Sequence, residues 1–349
     1  MRNALDILKS GTVIPANPLA LDGNRQFDEA GQRLLTKYYL AAGCGGLAVG
    51  VHTTQFEIRL PQHNLFEKVL TCAIDEINKF ESQTGKTIVK VAGVCGEIHQ
   101  AVSEAELSKQ LGYDVVLLSP GGLAHLSEQQ LLERTRAVAK IIPVIGFYLQ
   151  TAVGGRPLSF DYWKKISEID NVVAIKCASF NRYQTLDLVR AVATSSRADE
   201  IALYTGNDDN IVVDLLTEYK FTIDGKTYEK RFVGGLLGHW SVWANNVVKM
   251  FVQIKAEAQK ETISAEMLIL ANEVTDCNAV FFDAENNFAG CIAGLHEVLR
   301  RQGLMKNIYC LKPDETLSKG QFEEIDRIYK MYPHLNDDKF VRDFLNGNT

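Results

Sequence analysis

Residues 171–178 read N-V-V-A-I-K-C-A. Val172, Val173, Ala174 and Ile175 form an apolar run too short for a helix of its own, bounded upstream by Asp170 and Asn171, as expected of a strand buried on both faces. Lys176 ends the run. Doubly buried strands belong to parallel sheets covered by helices, so the flanking chain decides the architecture. Strand patterns recur at 11–16, 47–51, 87–93, 114–118, 144–148, 201–205 and 232–237. Helical patterns fall between and after them, at 28–42, 62–82, 103–111, 127–140, 159–168, 183–193, 210–218 and 242–255. Strict alternation implies parallel strands with right-handed crossovers, and eight strands close on themselves with no exposed edge. The expected fold is therefore α/β, a (β/α)8 TIM barrel over residues 1–260, with an open doubly wound sheet as the rival.

Two interruptions fit this scheme. Asp224-Gly225, at the centre of F-T-I-D-G-K-T-Y, marks a small hairpin inserted near 221–230. After residue 260 the strand patterns stop, and helical patterns at 265–274, 288–301 and 319–331 predict a C-terminal helical extension over 261–349. The run from Gly43 to Ala48 matches the dinucleotide-binding glycine pattern, yet it closes a helix and opens a strand, which makes it a helix C-cap turn.

Composition narrows the function. A net charge of -6, a pI near 5.7 and the lack of any Lys/Arg block argue against nucleic acid. No apolar run approaches the length that spans a bilayer, and the N-terminus lacks a signal-peptide core, so no membrane partner is expected. Seven cysteines without a C-x-x-C pair suggest reduced thiols and a cytoplasmic location.

Active sites of βα barrels lie at the C-terminal ends of the strands. Those ends carry Asn17, the loop from His52 to Gln55, Gly93, Ser119, Tyr148, Lys176, Gly206, Asn207, Asp208 and the segment from Gly234 to His239. Burial at a barrel mouth disfavours the charged form of Lys176 and frees an amine to attack a carbonyl; the plainer alternative is a lysine that snorkels to solvent. Tyr148 ends the preceding strand and is expected beside that amine as a proton shuttle, unless it only packs at the rim. Thr53 and Thr54 offer hydroxyls and backbone N–H groups to a carboxylate. Gly206 and Gly238 would let the backbone approach a ligand, or simply turn.

Taken in order, these features resemble the class I aldolases and synthases typified by dihydrodipicolinate synthase and N-acetylneuraminate lyase. The resemblance runs through N-P-L and D-G (Asn17 to Leu19, Asp22-Gly23), V-A-G at Val91 to Gly93, the ends Tyr148 and Lys176, T-G-N-D at Thr205 to Asp208, G-L-L-G at Gly235 to Gly238, and L-R-R-Q-G-L at Leu299 to Leu304. It implies that Lys176 forms a Schiff base with pyruvate or a 2-keto-3-deoxy acid, that Tyr148 moves the proton, and that Thr53 and Thr54 grip the carboxylate. It also implies that no cofactor is needed and that the chain assembles as a tetramer or dimer.

Several residues depart from the family pattern. The threonine loop reads H-T-T-Q-F from His52 to Phe56 rather than G-T-T-G-E, Gly121-Gly122 stand where a tyrosine pair is expected, and Val153 replaces an arginine. Arg156, three residues further on, is a candidate substitute that is not assumed, and Cys177 follows the lysine in place of an acid. These changes argue against 4-hydroxy-tetrahydrodipicolinate synthase activity proper and leave the distal half of the site unfamiliar; Gln55 and His239 are the candidates to contact it. The resulting expectation is a Schiff-base lyase acting by aldol cleavage or dehydration. Two alternatives stand beside it: a metal-dependent aldolase using His52, His63, Glu97 and His99, and a keto-acid-binding protein without turnover.

Overall fold

The computed structural model describes residues 3–347. Its strands, in chain order, are β1 (Val13–Pro15), β2 (Gly46–Val49), β3 (Val89–Val94), β4 (Val115–Leu118), β5 (Val144–Leu149), β6 (Val172–Ala178), β7 (Ala202–Thr205), β8 (Tyr219–Ile223), β9 (Lys226–Lys230) and β10 (Phe232–Leu237). The helices are α1 (Ala4–Ser10), α2 (Glu29–Ala42), α3 (Phe66–Thr84), α4 (Ile98–Leu111), α5 (Glu128–Ala139), α6 (Phe160–Ser167), α7 (Arg182–Ala193), α8 (Ile211–Leu216), α9 (Ala244–Glu257), α10 (Ala265–Phe281), α11 (Cys291–Arg301), α12 (Gln321–Met331) and α13 (Asp338–Leu345). Strands pair in parallel in the order β1, β10, β7, β6, β5, β4, β3, β2. A parallel bridge from Ala16 to Ala48, with the Asn17 N–H donating to the Ala48 carbonyl at 2.8 Å, joins the two ends and closes the barrel. The open-sheet alternative is thereby excluded.

The closed sheet separates two cores. Ile145, Phe147 and Leu149 of β5 and Ala174 and Ala178 of β6 point into the lumen, while Val144, Tyr148, Val172, Ile175 and Cys177 pack in the layer beneath the helices. This is the two-residue alternation of a strand, hidden from a sequence in which both faces are apolar. Helix α1, which the sequence did not announce, stoppers the N-terminal end. Its Leu8 sits in the lumen core, and its carbonyl accepts a hydrogen bond from the Tyr204 hydroxyl at 2.7 Å.

Local signals act where they were expected. Asp28 caps α2 through the Gly31 N–H, and Gly43 ends it in the left-handed region at φ +93°. Strands β8 and β9 form the predicted antiparallel hairpin, with Asp224 and Gly225 both at positive φ. The C-terminal helices follow the barrel, and α13 adds one the sequence pattern did not show. Among the described residues no helix is long and apolar enough to cross a membrane.

Candidate active site

Lys176 lies in the lumen face of β6 and is 9% exposed. Its neighbours are fixed by register: in the parallel β5–β6 pair, Phe147 lies opposite Lys176 and Tyr148 opposite Cys177. Side chains paired across parallel strands share a face, so Phe147 rather than Tyr148 accompanies the lysine. The Lys176 Nζ sits 4.4 Å from the centroid of the Phe147 ring. Tyr148 points the other way. Its ring stacks 4.9 Å from that of Trp163, and its hydroxyl accepts from the Leu158 N–H at 3.3 Å. The expected phenol beside the amine is therefore absent from the lumen. The physical reason is one extra residue in β6: pairing shifts between Val144 opposite Val172 and Ile145 opposite Ala174, which moves the phase by one.

The cavity above Lys176 encloses about 610 Å³, its open mouth included. Its polar side chains are His52, Thr53, Gln150, Lys176 and Asp208, with the Cys291 thiol beside them. Burial pulls the Lys176 ammonium below its ordinary pKa, and the neighbouring Asp208 carboxylate offsets this only in part. Asp208 is pushed above the usual carboxylate range by burial, against the opposing pull of the His239 N–H and Lys176. Among the described residues Lys176 forms no ion pair within 4.0 Å. A glycine at 206 makes room for the lysine stem, since a Cβ there would lie 2.5 Å from Lys176 Cε.

The loop after β2 divides its two threonines. Thr53 lines the cavity and donates its hydroxyl to the Ala16 carbonyl at 2.7 Å. Thr54 does not line it: its hydroxyl donates to the Asn17 carbonyl at 2.7 Å and accepts from the Gly50 N–H at 3.0 Å, which ties β1 to β2. Arg59 braces this loop, donating to the carbonyls of Gly50 (3.0 Å) and Gly93 (2.9 Å) while paired with the buried Glu104 at 2.9 Å. His52 faces the cavity as a neutral imidazole, its pKa lowered to about 4 by burial and by the charge of Lys176.

Other candidates serve elsewhere. Gly238 lines the cavity, but the His239 ring does not; it bonds Asn278 through Nδ1, while its backbone N–H donates to Asp208 at 3.1 Å. His239 thus holds the carboxylate instead of touching a substrate. Gln55 is buried and accepts from the Leu311 N–H at 2.6 Å, and Arg156 donates to the carbonyls of Ala124 and Leu126, so neither reaches the cavity. His63 is half-buried and His99 exposed, while Glu97 pairs with His125 at 3.0 Å. Among the described residues no group of three or more His, Cys, Asp or Glu side chains is disposed to hold a metal.

Sequence reasoning missed the far wall. Phe282, Phe288 and Cys291 come from the segment between α10 and the start of α11, and Phe180 from the turn after β6. The paired aromatics Phe281-Phe282 next to Asn286-Asn287, a break within a helical region, were the available signal.

A closed eight-stranded βα barrel with a buried lysine at its C-terminal mouth defines the class of scaffold. The chain belongs to the dihydrodipicolinate synthetase family, whose profile it matches over residues 9–331. Two relatives named 4-hydroxy-tetrahydrodipicolinate synthase are similar to it. That of Cyanothece sp. is 28% identical over 138 residues, or 39% of this chain and 45% of the relative. That of Desulforudis audaxviator is 26% identical over 210 residues, or 59% and 66%. The matches thus span less than two thirds of either relative. Among solved structures, a dihydrodipicolinate synthase from Oceanobacillus iheyensis superposes with a TM-score of 0.75 at 17% identity, over 95% of this chain and 100% of that one. The N-acetylneuraminate lyase from Fusobacterium nucleatum complexed with pyruvate does so at 0.70 and 16%, over 93% and 98%. At such identities the superpositions speak for the fold.

Proposed function

We propose that the protein is a Schiff-base-forming lyase that acts on pyruvate or a 2-keto-3-deoxy acid through Lys176. The observation that carries this reading is the buried amine itself, drawn below its ordinary pKa at the open end of the barrel with a cavity before it. The neutral amine attacks the keto carbon and water leaves; the protonated imine then accepts electrons from the adjacent C–C bond or C–H bond. Thr53 is the threonine placed to meet the substrate carboxylate, as it alone of the two lines the cavity, and its hydroxyl would exchange the Ala16 carbonyl for the carboxylate when the substrate binds. With Tyr148 turned away, proton transfer falls to Asp208, whose raised pKa lets it hold and release a proton near neutrality.

Incubation with pyruvate and borohydride, followed by mass spectrometry of the Lys176 peptide, tests the reading. A stable adduct at Lys176 is expected. No adduct with pyruvate or any other 2-oxo acid removes the mechanism. Saturable binding without turnover would favour a keto-acid-binding protein, a reading to which the lumenal Phe147 in place of a phenol gives some footing.

A further inference from the structure

The cavity is chemically two-sided. Lys176, Thr53 and Asp208 gather with the Phe147 ring at the pyruvoyl end, whereas Leu149, Val153, Phe180, Phe282 and Phe288 line the remainder of the cavity. Phe180 and Phe288 meet edge to face, with ring centroids 5.8 Å apart and planes at 72°. Both hold positive φ, +51° and +66°, a conformation bulky residues adopt only when their surroundings enforce it. Those surroundings are visible. The Phe180 N–H donates to the Asn207 side chain at 3.1 Å. The loop bearing Phe288 is braced by buried Asp283, which accepts from the Gly290 N–H at 2.9 Å and the Asn286 amide at 2.7 Å.

We infer that the substituent accepted beyond the pyruvoyl group is apolar and ring-sized. This rests on the Schiff-base reading above. The substrate is then a 4-hydroxy-2-oxo acid with such a group at C4, cleaved to pyruvate and an apolar aldehyde. Lys176 condenses with C2 and releases water. A base takes the C4 hydroxyl proton, the C3–C4 bond breaks with its electron pair passing into the imine, and the aldehyde departs. A proton returns to C3, and water restores pyruvate and the free amine. No oxidant or reductant enters. A polyol tail would fare poorly here, because each hydroxyl set against these rings forfeits its hydrogen bonds to water and finds only Gln150 and His52 in exchange.

Borohydride trapping on the intact chain separates the two claims. The concentration of 2-oxo acid that half-saturates adduct formation at Lys176 is measured for pyruvate, 2-oxo-4-phenylbutanoate and 2-oxo-4,5-dihydroxypentanoate. The phenyl compound is expected to trap at a concentration at least tenfold lower than the dihydroxy compound. In Phe288→Ser that ratio is expected to shrink at least threefold, with the pyruvate adduct reporting that the variant is folded. Adducts that form with equal or reversed preference overturn the apolar-substituent inference and leave the Schiff base standing. No adduct with any of the three overturns the mechanism and the inference with it.

Discussion

Gly206→Ala is the sharpest probe of the site. The new Cβ would lie 2.5 Å from Lys176 Cε, 3.1 Å from its Cγ and 2.9 Å from Ala178 Cβ. Carbon atoms rest at about 3.5–4.0 Å, so the lysine stem must move by about 1 Å. That stem is flexible, but the Ala178 Cβ is fixed to β6 and yields only with the strand. The expected loss of stability is therefore about 2 kcal/mol, in the middle of the range for overpacking. The chemistry is less forgiving, because a misplacement of about 1 Å lowers the rate about 100-fold. The assay is the initial rate of borohydride trapping at fixed pyruvate, read by intact mass, with urea unfolding in parallel. A folded variant trapped at the unsubstituted rate would show that the amine is not held against Gly206 when it reacts. A loss well above about 3 kcal/mol would equally refute the claim that the stem and the end of β6 absorb the methyl group.

Tyr148→Phe is expected to leave turnover within about twofold and to cost about 1 kcal/mol, since only the bond from the Leu158 N–H is lost; a drop of about 100-fold or more in kcat would restore the phenol to catalysis. Asp208→Asn should lower kcat by about 100-fold or more while trapping with pyruvate extends to lower pH, because the carboxylate raises the Lys176 pKa and its removal lowers it further. Trapping that shifts to higher pH would contradict this. Acid should destabilise the fold through His52, His239 and His296, each with its pKa lowered to about 4 by burial. All three stay neutral in the folded state while the unfolded chain takes up protons near 6.5, so their contribution is intact above that pH and is lost as pH falls toward 4. At pH 5 the loss is about 2 kcal/mol for each, measurable by urea unfolding against pH 7.5, and His296→Leu should remove about a third of the histidine contribution.

The strand and helix order, Lys176, the hairpin and the capping glycine at Gly43 were legible because each is written in a short window of sequence. The facing of Tyr148 was not. In β5 every residue from Val144 to Leu149 is buried, so no polar position marks which face is the lumen, and the pairing shift in β6 falls in an equally apolar stretch. A strand with one solvated face would have shown its phase. The same limit divides Thr53 from Thr54: each hydroxyl donates to a backbone carbonyl of the segment after β1, and only the tertiary fold decides that Thr53 alone lines the cavity. Phe282 and Phe288 lie about a hundred residues beyond Lys176 in a helical region, and only the tertiary fold brings them over the barrel mouth.

Phe147 changes what the site can do with charge as well as with protons. A ring face 4.4 Å from Nζ attracts a cation, by about 0.5–2 kcal/mol where water is excluded. Against the neutral amine this favours ammonium, opposing the effect of burial. On the proposed reading, the same face favours the protonated state of the imine, the electron sink that bond cleavage requires. A phenyl ring at this position therefore gives up proton transfer yet retains stabilisation of the charged intermediate. On the proposed reading proton traffic passes to Asp208, the sole carboxyl lining the cavity among the described residues, whose carboxylate accepts from the His239 N–H and whose backbone carbonyl accepts from the Asn278 amide. Because Asn278 belongs to α10 and Phe282 follows it directly, the C-terminal helices position the acid and the apolar wall together.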